Sequence, residues 1–190
     1  MSTIVAVLKN NIACIAADSL TSFGDTRQPA EFVTDYDKIL QFAERGYIGI
    51  VGSAAHHLVM QGLFEKHGDK IDFSTRFSIF ESMRQVHPVL KEEYFLNSKE
   101  GEEDSYESSR VDALIINQNG IFGLYSLREV DQYSRFWAVG SGAEFALGAM
   151  RVAYDLLDDA EAIARAGIEA GACFDSSSAL PMTHYSLEAG

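Results

Sequence analysis

The sequence predicts an α+β domain in which two antiparallel sheets are stacked between two helix layers. Three observations predict it. Strand-length apolar runs come in pairs joined by short turn-forming segments. These pairs are segregated from the helical stretches instead of alternating with them, and several runs are apolar at consecutive positions, as in sheets covered on both faces. The chain of 190 residues, 47% hydrophobic and 23% charged, suits one domain spanning residues 1–190, with no repeat or linker to divide it.

Thr3 to Leu8 and Ile12 to Ala17 form the first hairpin, joined by Lys9-Asn10-Asn11, whose asparagines tolerate positive φ. Ile39 to Phe42 and Tyr47 to Val51 form the second around Ala43-Glu44-Arg45-Gly46; a polar loop, SLTSFGDTRQPAEFVTDYD, separates the two. Ser53 caps a helix in which Ala54, Leu58, Leu63 and Phe64 recur near helical spacing, and the His67-Gly68 pair stops it. A second helix is expected from Ser74 to Phe95, kinked at Pro88, with Phe73, Phe77, Phe80, Met83 and Leu90 on its apolar stripe. NSKEGEEDSYESSR reads as a solvated surface loop. Val111 to Ile116 and Ile121 to Ser126 flank an Asn-Gly turn, and Ser134 to Val139 is a third strand ended by Gly140-Ser141-Gly142. Helices follow over Ala143 to Leu156 and Asp159 to Ala170, and SALPMTHYSL supplies a last strand.

A formal net charge of −13 without a Lys/Arg cluster argues against nucleic acid or anionic membrane as partner. No apolar stretch approaches the roughly 20 residues of a membrane span, and the start lacks a signal core, so a cytoplasmic protein is expected. Cys14 and Cys173 are far apart and read as free thiols. His56 and His57 are adjacent, so on a helix they point to different faces. No Cys or third His completes a metal site, and both read as packing or interface residues. The absence of P-loop, GxGxxG and HExxH patterns leaves nucleotide and metalloprotease readings without a motif, and neither cofactor nor metal is expected.

Several pieces fall in one order: STIVAV at the start, ADSLTSFGDT after the second strand, a lysine before the second hairpin, VGSAA and VGSGAEFA each entering a helix, and DSSS near the end. In this order and spacing they resemble mature proteasome β subunits and the related bacterial peptidase HslV, which are N-terminal nucleophile hydrolases. The similarity spans nearly the whole chain. It implies a four-layer αββα sandwich and a peptidase of the bacterial proteasome homologue type, called BPH or Anbu; the chain is short for Anbu.

The resemblance makes Ser2 the nucleophile once Met1 is removed, as is usual before a small residue. A free α-amine, with an ordinary pKa of about 7.7 to 8.0, is then poised to take the hydroxyl proton near neutral pH. It implies an electrostatic role for Asp18 and Lys38, since an ammonium nearby keeps more of the amine as free base. The segment between them is longer than in HslV and adds Asp35 and Asp37 as further partners for the lysine. Gly52 would offer its N–H to the oxyanion, while Ser141, Asp175 and Ser178 would hold the terminal amine and pass protons. Thr21, Ser22 and Gly52 through Ala54 would bind an extended peptide as an added strand. Tyr36, Ile50 and Ala54 would line the first specificity pocket, with tolerance of apolar side chains.

Read without the family, each residue has an ordinary role. Ser2 is a common residue after Met, Asp18 a turn residue and Lys38 a surface charge. Gly52 is a helix-entry turn, GSG a cap or weak anion loop, and DSSS a capped turn. Thr is the usual nucleophile, and Ser lacks the methyl that restricts χ1. Three functions follow: a self-compartmentalising peptidase in a homo-oligomeric double ring of about 12 or 14 subunits, served by an AAA+ unfoldase and acting on peptides or unfolded proteins; a ring protein of the same fold without catalysis; or an amidase using the same nucleophile on a small molecule.

Overall fold

The computed structural model describes residues 2–42, 46–99, 101 and 104–190. Met1, the turn residues 43–45 and part of the acidic loop therefore lie outside the described residues. In chain order the strands are β1 (Ile4–Lys9), β2 (Ile12–Asp18), β3 (Thr21–Phe23), β4 (Thr26–Gln28), β5 (Ile39–Phe42), β6 (Gly46–Val51), β7 (Asp112–Asn117), β8 (Gly120–Leu124), β9 (Val130–Tyr133), β10 (Phe136–Val139) and β11 (Met182–Glu188). The helices are α1 (Ala54–His67), α2 (Arg76–Glu92), α3 (Ala143–Leu156) and α4 (Ala160–Phe174).

One antiparallel sheet runs β10-β1-β2-β11 and the other β5-β6-β7-β8-β9. Strand alternation sorts their side chains into three cores. On the first sheet Ile4, Ala6, Ile15 and Ala17 face inward and meet Leu114, Ile116 and Ile121 of the second, forming the layer between sheets. Val5, Val7, Cys14 and Ala16 point the other way, onto Ala146, Met150, Ile163 and Ile168 of α3 and α4. Ile48, Ile115, Phe122 and Leu124 pack on Met60, Leu63, Ile79 and Met83 of α1 and α2. The result is the expected αββα stack, with runs apolar on every position because both faces of each sheet are covered.

The turns explain the hairpins. Asn10 and Asn11 both have positive φ, 51° and 60°, as a tight turn between right-twisted strands requires. Ser53 caps α1 by accepting from the Ala55 N–H, and Thr75 starts α2 with a reciprocal capping box to Ser78.

Several expectations change. The polar loop contains a small hairpin, β3 with β4, followed by a single 3-10 turn over Ala30–Phe32. Gly68 keeps a right-handed helical φ of −58° and opens a 3-10 turn rather than stopping α1 in a left-handed cap. Leu58 is exposed on α1, and on α2 Phe77 and Phe80 are exposed. The buried stripe is Ile79, Met83, Val86 and Leu90, one helical step away from the phenylalanines. Strand β9 was not expected: of its four residues only Val130 is buried, as befits an edge strand. The expected Ser134–Val139 strand begins at Phe136 and leaves that sheet to pair with β1, so Ser134 and Arg135 bridge the two sheets. Helix α4 continues to Phe174, past the expected Ala170.

Leu114 is fully buried between the sheets, whereas Phe77 is 72% exposed. Leu114→Ala is expected to lower unfolding stability by about 2–5 kcal/mol and Phe77→Ala to change it by no more than about 0.5 kcal/mol, measured by urea denaturation.

Candidate active site

Pairing register brings the start of the chain to three other segments. Ile4 lies opposite Ala17 on one side and Val139 on the other, so the residues just before Ile4 run beside Asp18 and beside Gly140–Gly142. The Asp18 N–H donates to the Thr3 carbonyl (3.1 Å), and the Gly142 N–H approaches the Ser2 carbonyl at 3.4 Å. Gly140 has φ +99°, and a methyl group there would overlap the Ser2 carbonyl oxygen, so only glycine admits the chain start at this distance.

Asp18 is fully buried, and its carboxylate is saturated. Oδ1 accepts from the Thr3 N–H (2.9 Å) and the Lys38 ammonium (2.7 Å); Oδ2 accepts from the Leu20 N–H (3.0 Å) and the Ala179 N–H (3.1 Å). Lys38 also donates to the Leu20 carbonyl (2.7 Å), and its side chain is 13% exposed. Lys38 is thus no loose surface charge. Burial pulls its ammonium below the ordinary lysine range, and the charge and hydrogen bond of Asp18 oppose that pull. Asp35 and Asp37 do not take up the lysine as expected. Asp37 accepts instead from the Thr183 hydroxyl (2.8 Å), the Tyr185 hydroxyl (2.6 Å) and the Ile39 N–H (2.9 Å), because β11 lies alongside; Asp35 is exposed.

A second cluster stands at the ends of β10 and α4. The Ser141 and Ser178 hydroxyls both donate to Asp175 Oδ2, each at 2.7 Å, and the Ser177 N–H donates to Oδ1. Burial pushes the Asp175 carboxyl up, but these bonds outweigh it and hold it below its ordinary value. With its proton committed to Asp175, Ser178 accepts from the Thr3 hydroxyl at 2.7 Å, giving a relay from Thr3 through Ser178 to Asp175. Ser141 does not cap α3, whose N-cap is Gly142 without a side-chain bond. Thr3, fully buried, was missed by the sequence reading; its signal was a hydroxyl at the same strand parity as Val5 and Val7, facing the helices.

Ser2, Lys38, Thr21, Ser22, Gly52 and Ala54 line one cleft of about 1040 Å³, as do Tyr36 and Ile50. Asp35, Asp37, His57, Thr183 and Tyr185 share its walls, none of them expected as lining. Ser2 is 6% exposed. Gly52 is open to solvent with φ +112°, and the adjacent His56 ring lies on the side a Cβ would occupy. Burial lowers both His56 and His57. His56 Nδ1 and His57 Nε2 have no hydrogen-bond partner among the described residues. Among those residues no group of three or more His, Cys, Asp or Glu is placed to hold a metal ion. Nor is any helix there long and apolar enough to cross a membrane.

A cleft lined by a near-terminal serine and by a lysine that a buried aspartate holds from behind, with a hydroxyl–carboxylate relay beneath the same strand, suits acyl transfer. No family model matches the chain, and no curated protein matches it. Solved structures do. BPH of Thiobacillus denitrificans superposes with a TM-score of 0.92 at 38% identity, covering 99% of this chain and 98% of that one. The same protein in complex with epoxomicin gives 0.91 at 37% identity, covering 99% of both. HslV of Trypanosoma brucei gives 0.71 at 21% identity, covering 98% of this chain and 99% of that one, which shows the shared fold. The chain therefore belongs to the bacterial proteasome homologue (BPH) family, within the proteasome β-subunit and HslV class of N-terminal nucleophile hydrolases.

Proposed function

We propose that the chain is a peptidase subunit that hydrolyses peptide bonds through Ser2 after loss of Met1. The observation that carries this reading is that Lys38, in the wall of the cleft that Ser2 lines, is paired with the fully buried Asp18 behind it. With Met1 gone, the Ser2 α-amine takes the proton of its own hydroxyl as Oγ attacks the scissile carbonyl. The carbonyl π bond opens to an oxyanion, which the Gly52 N–H stabilises; a preorganised donor of this kind is commonly worth roughly 10²- to 10³-fold in rate. The ammonium formed at Ser2 then protonates the leaving amine, and the C–N bond breaks to leave an ester on Oγ. Water, deprotonated by the same amine, attacks that ester and frees the second product.

Lys38 keeps this amine unprotonated by like-charge repulsion, and Asp18 holds Lys38 in place. The relay from Thr3 to Asp175 fixes the strand that carries Ser2, and Ser141 completes the set of hydroxyls around Asp175. An extended peptide adds as a strand between Thr21–Ser22 and Gly52–Ala54. The subunits assemble into a closed homo-oligomeric ring in the cytoplasm, with the clefts inside and an unfoldase feeding them. Ring size is either of the two expected from the family.

Epoxomicin, found bound to the Thiobacillus denitrificans protein, is expected to modify this chain at Ser2. Ser2→Ala abolishes both peptide cleavage and modification, read by fluorogenic turnover and peptide mass mapping, while Ser141→Ala slows modification without moving its position. Modification elsewhere, or cleavage retained in Ser2→Ala, overturns the reading.

The pH profile of kcat/KM carries a second expectation. Turnover needs the amine unprotonated, so the rate rises through the amine pKa of about 7.7 to 8.0 or somewhat below it. It also needs Lys38 protonated. Because burial lowers that pKa, the falling limb comes before the ordinary lysine value of about 10.4. Lys38→Met removes the falling limb, moves the rising limb to higher pH and lowers the maximum.

A further inference from the structure

We propose that the cleft prefers substrates with a lysine or arginine side chain beside the scissile bond, and that Asp37 is the residue that determines this. The inference rests on the peptidase reading and adds a substrate class to it. It also departs from the apolar tolerance that Tyr36, Ile50 and Ala54 alone imply.

The chemistry of the walls is acceptor-rich. Asp35 and Asp37 both line the cleft, whereas the ammonium of Lys38 in the same wall is turned to the fully buried Asp18 and the Leu20 carbonyl, away from Asp37. The free charge presented to a ligand is therefore negative. Asp37 is preorganised: Thr183 and Tyr185 of β11 and the Ile39 N–H hold it from three sides. The bond to Asp37 pushes the Tyr185 hydroxyl up to about 12, so it remains a donor at neutral pH.

A carboxylate offers about four lone-pair sites. Three on Asp37 are occupied, two at Oδ1 and one at Oδ2, which leaves Oδ2 one more among the described residues. His57 lines the same cleft and lies in the field of Asp37. Lysine and arginine side chains carry donors and no acceptor, so they complement this corner. A glutamate there would face two carboxylates, and the one lysine or arginine among the described lining residues, Lys38, is already paired with Asp18.

The test separates binding from turnover by using the Ser2→Ala full-length protein, which leaves peptides uncut. Three dye-labelled peptides, identical except for Arg, Leu or Glu at one central position, are titrated by fluorescence anisotropy. The Arg peptide is expected to bind at least about tenfold more tightly than the Glu peptide, with the gap narrowing as salt is raised. Asp37→Asn brings the three within about twofold. Asp35→Asn, at an exposed position that burdens folding little, narrows the gap in part. Tightest binding of the Leu peptide, equal affinity for all three including none measurable, or an unchanged order in both variants overturns the inference. Failure of the peptidase reading appears separately, as wild-type protein without Ser2-dependent turnover.

Discussion

A single buried carboxylate ties together four separate segments of this protein. Asp18 ends β2, yet it receives the N–H of Thr3 just before β1, the N–H of Leu20 beyond the strand, the N–H of Ala179 before β11, and the ammonium of Lys38 before β5. Three backbone donors and one ammonium fill its acceptor sites in the interior, and a buried carboxylate that is this well hydrogen-bonded escapes most of the penalty of desolvation. Removing Lys38 would leave those three bonds in place. Removing Asp18 would leave a lowered, largely buried ammonium with only a carbonyl, and would release the chain start.

The sandwich supplies the positions that make this possible. Two covered sheets fix β1 between β10 and β2, so the chain start cannot shift register by one residue without turning Ile4 and Ala6 of β1 from the central core to the helix side. The turn at Gly140–Gly142 can then approach the Ser2 carbonyl because it is built of small residues. The fixed frame also lets the loop before β5 and the first turn of α1 form the cleft opposite, where variation in sequence alters the walls without disturbing the strand that presents Ser2.

The layers were legible because covered strands read as consecutive apolar runs and the asparagine turns mark a hairpin. Phe77 and Phe80 misled the reading of α2, since an aromatic at helical spacing is apolar whichever way it faces; only the packing against Val130 and Phe122 decides that Ile79 and Met83 are inside. Strand β9 carries one buried residue and no periodicity to detect. In the site, local sequence leaves Asp18 as a turn and Lys38 as a surface charge, because their value comes from contacts 20 residues apart. Family resemblance brought them forward, together with Ser141, Asp175 and Ser178. It named Asp37 only as a partner for Lys38, and it did not bring forward Thr3, whose role depends on a bond across 175 positions, or Thr183 and Tyr185, which meet Asp37 only when β11 returns beside the first hairpin.

An amine that serves as base must be free, and this makes the state of Met1 the decisive variable. The most direct test measures intact mass and peptide turnover on the same preparations, chosen to differ in the fraction of chains that keep Met1. A Ser2 amine acting as its own proton acceptor predicts turnover in proportion to the Met1-free fraction, reaching zero where every chain retains the methionine. Undiminished turnover from chains that all carry Met1 would contradict it.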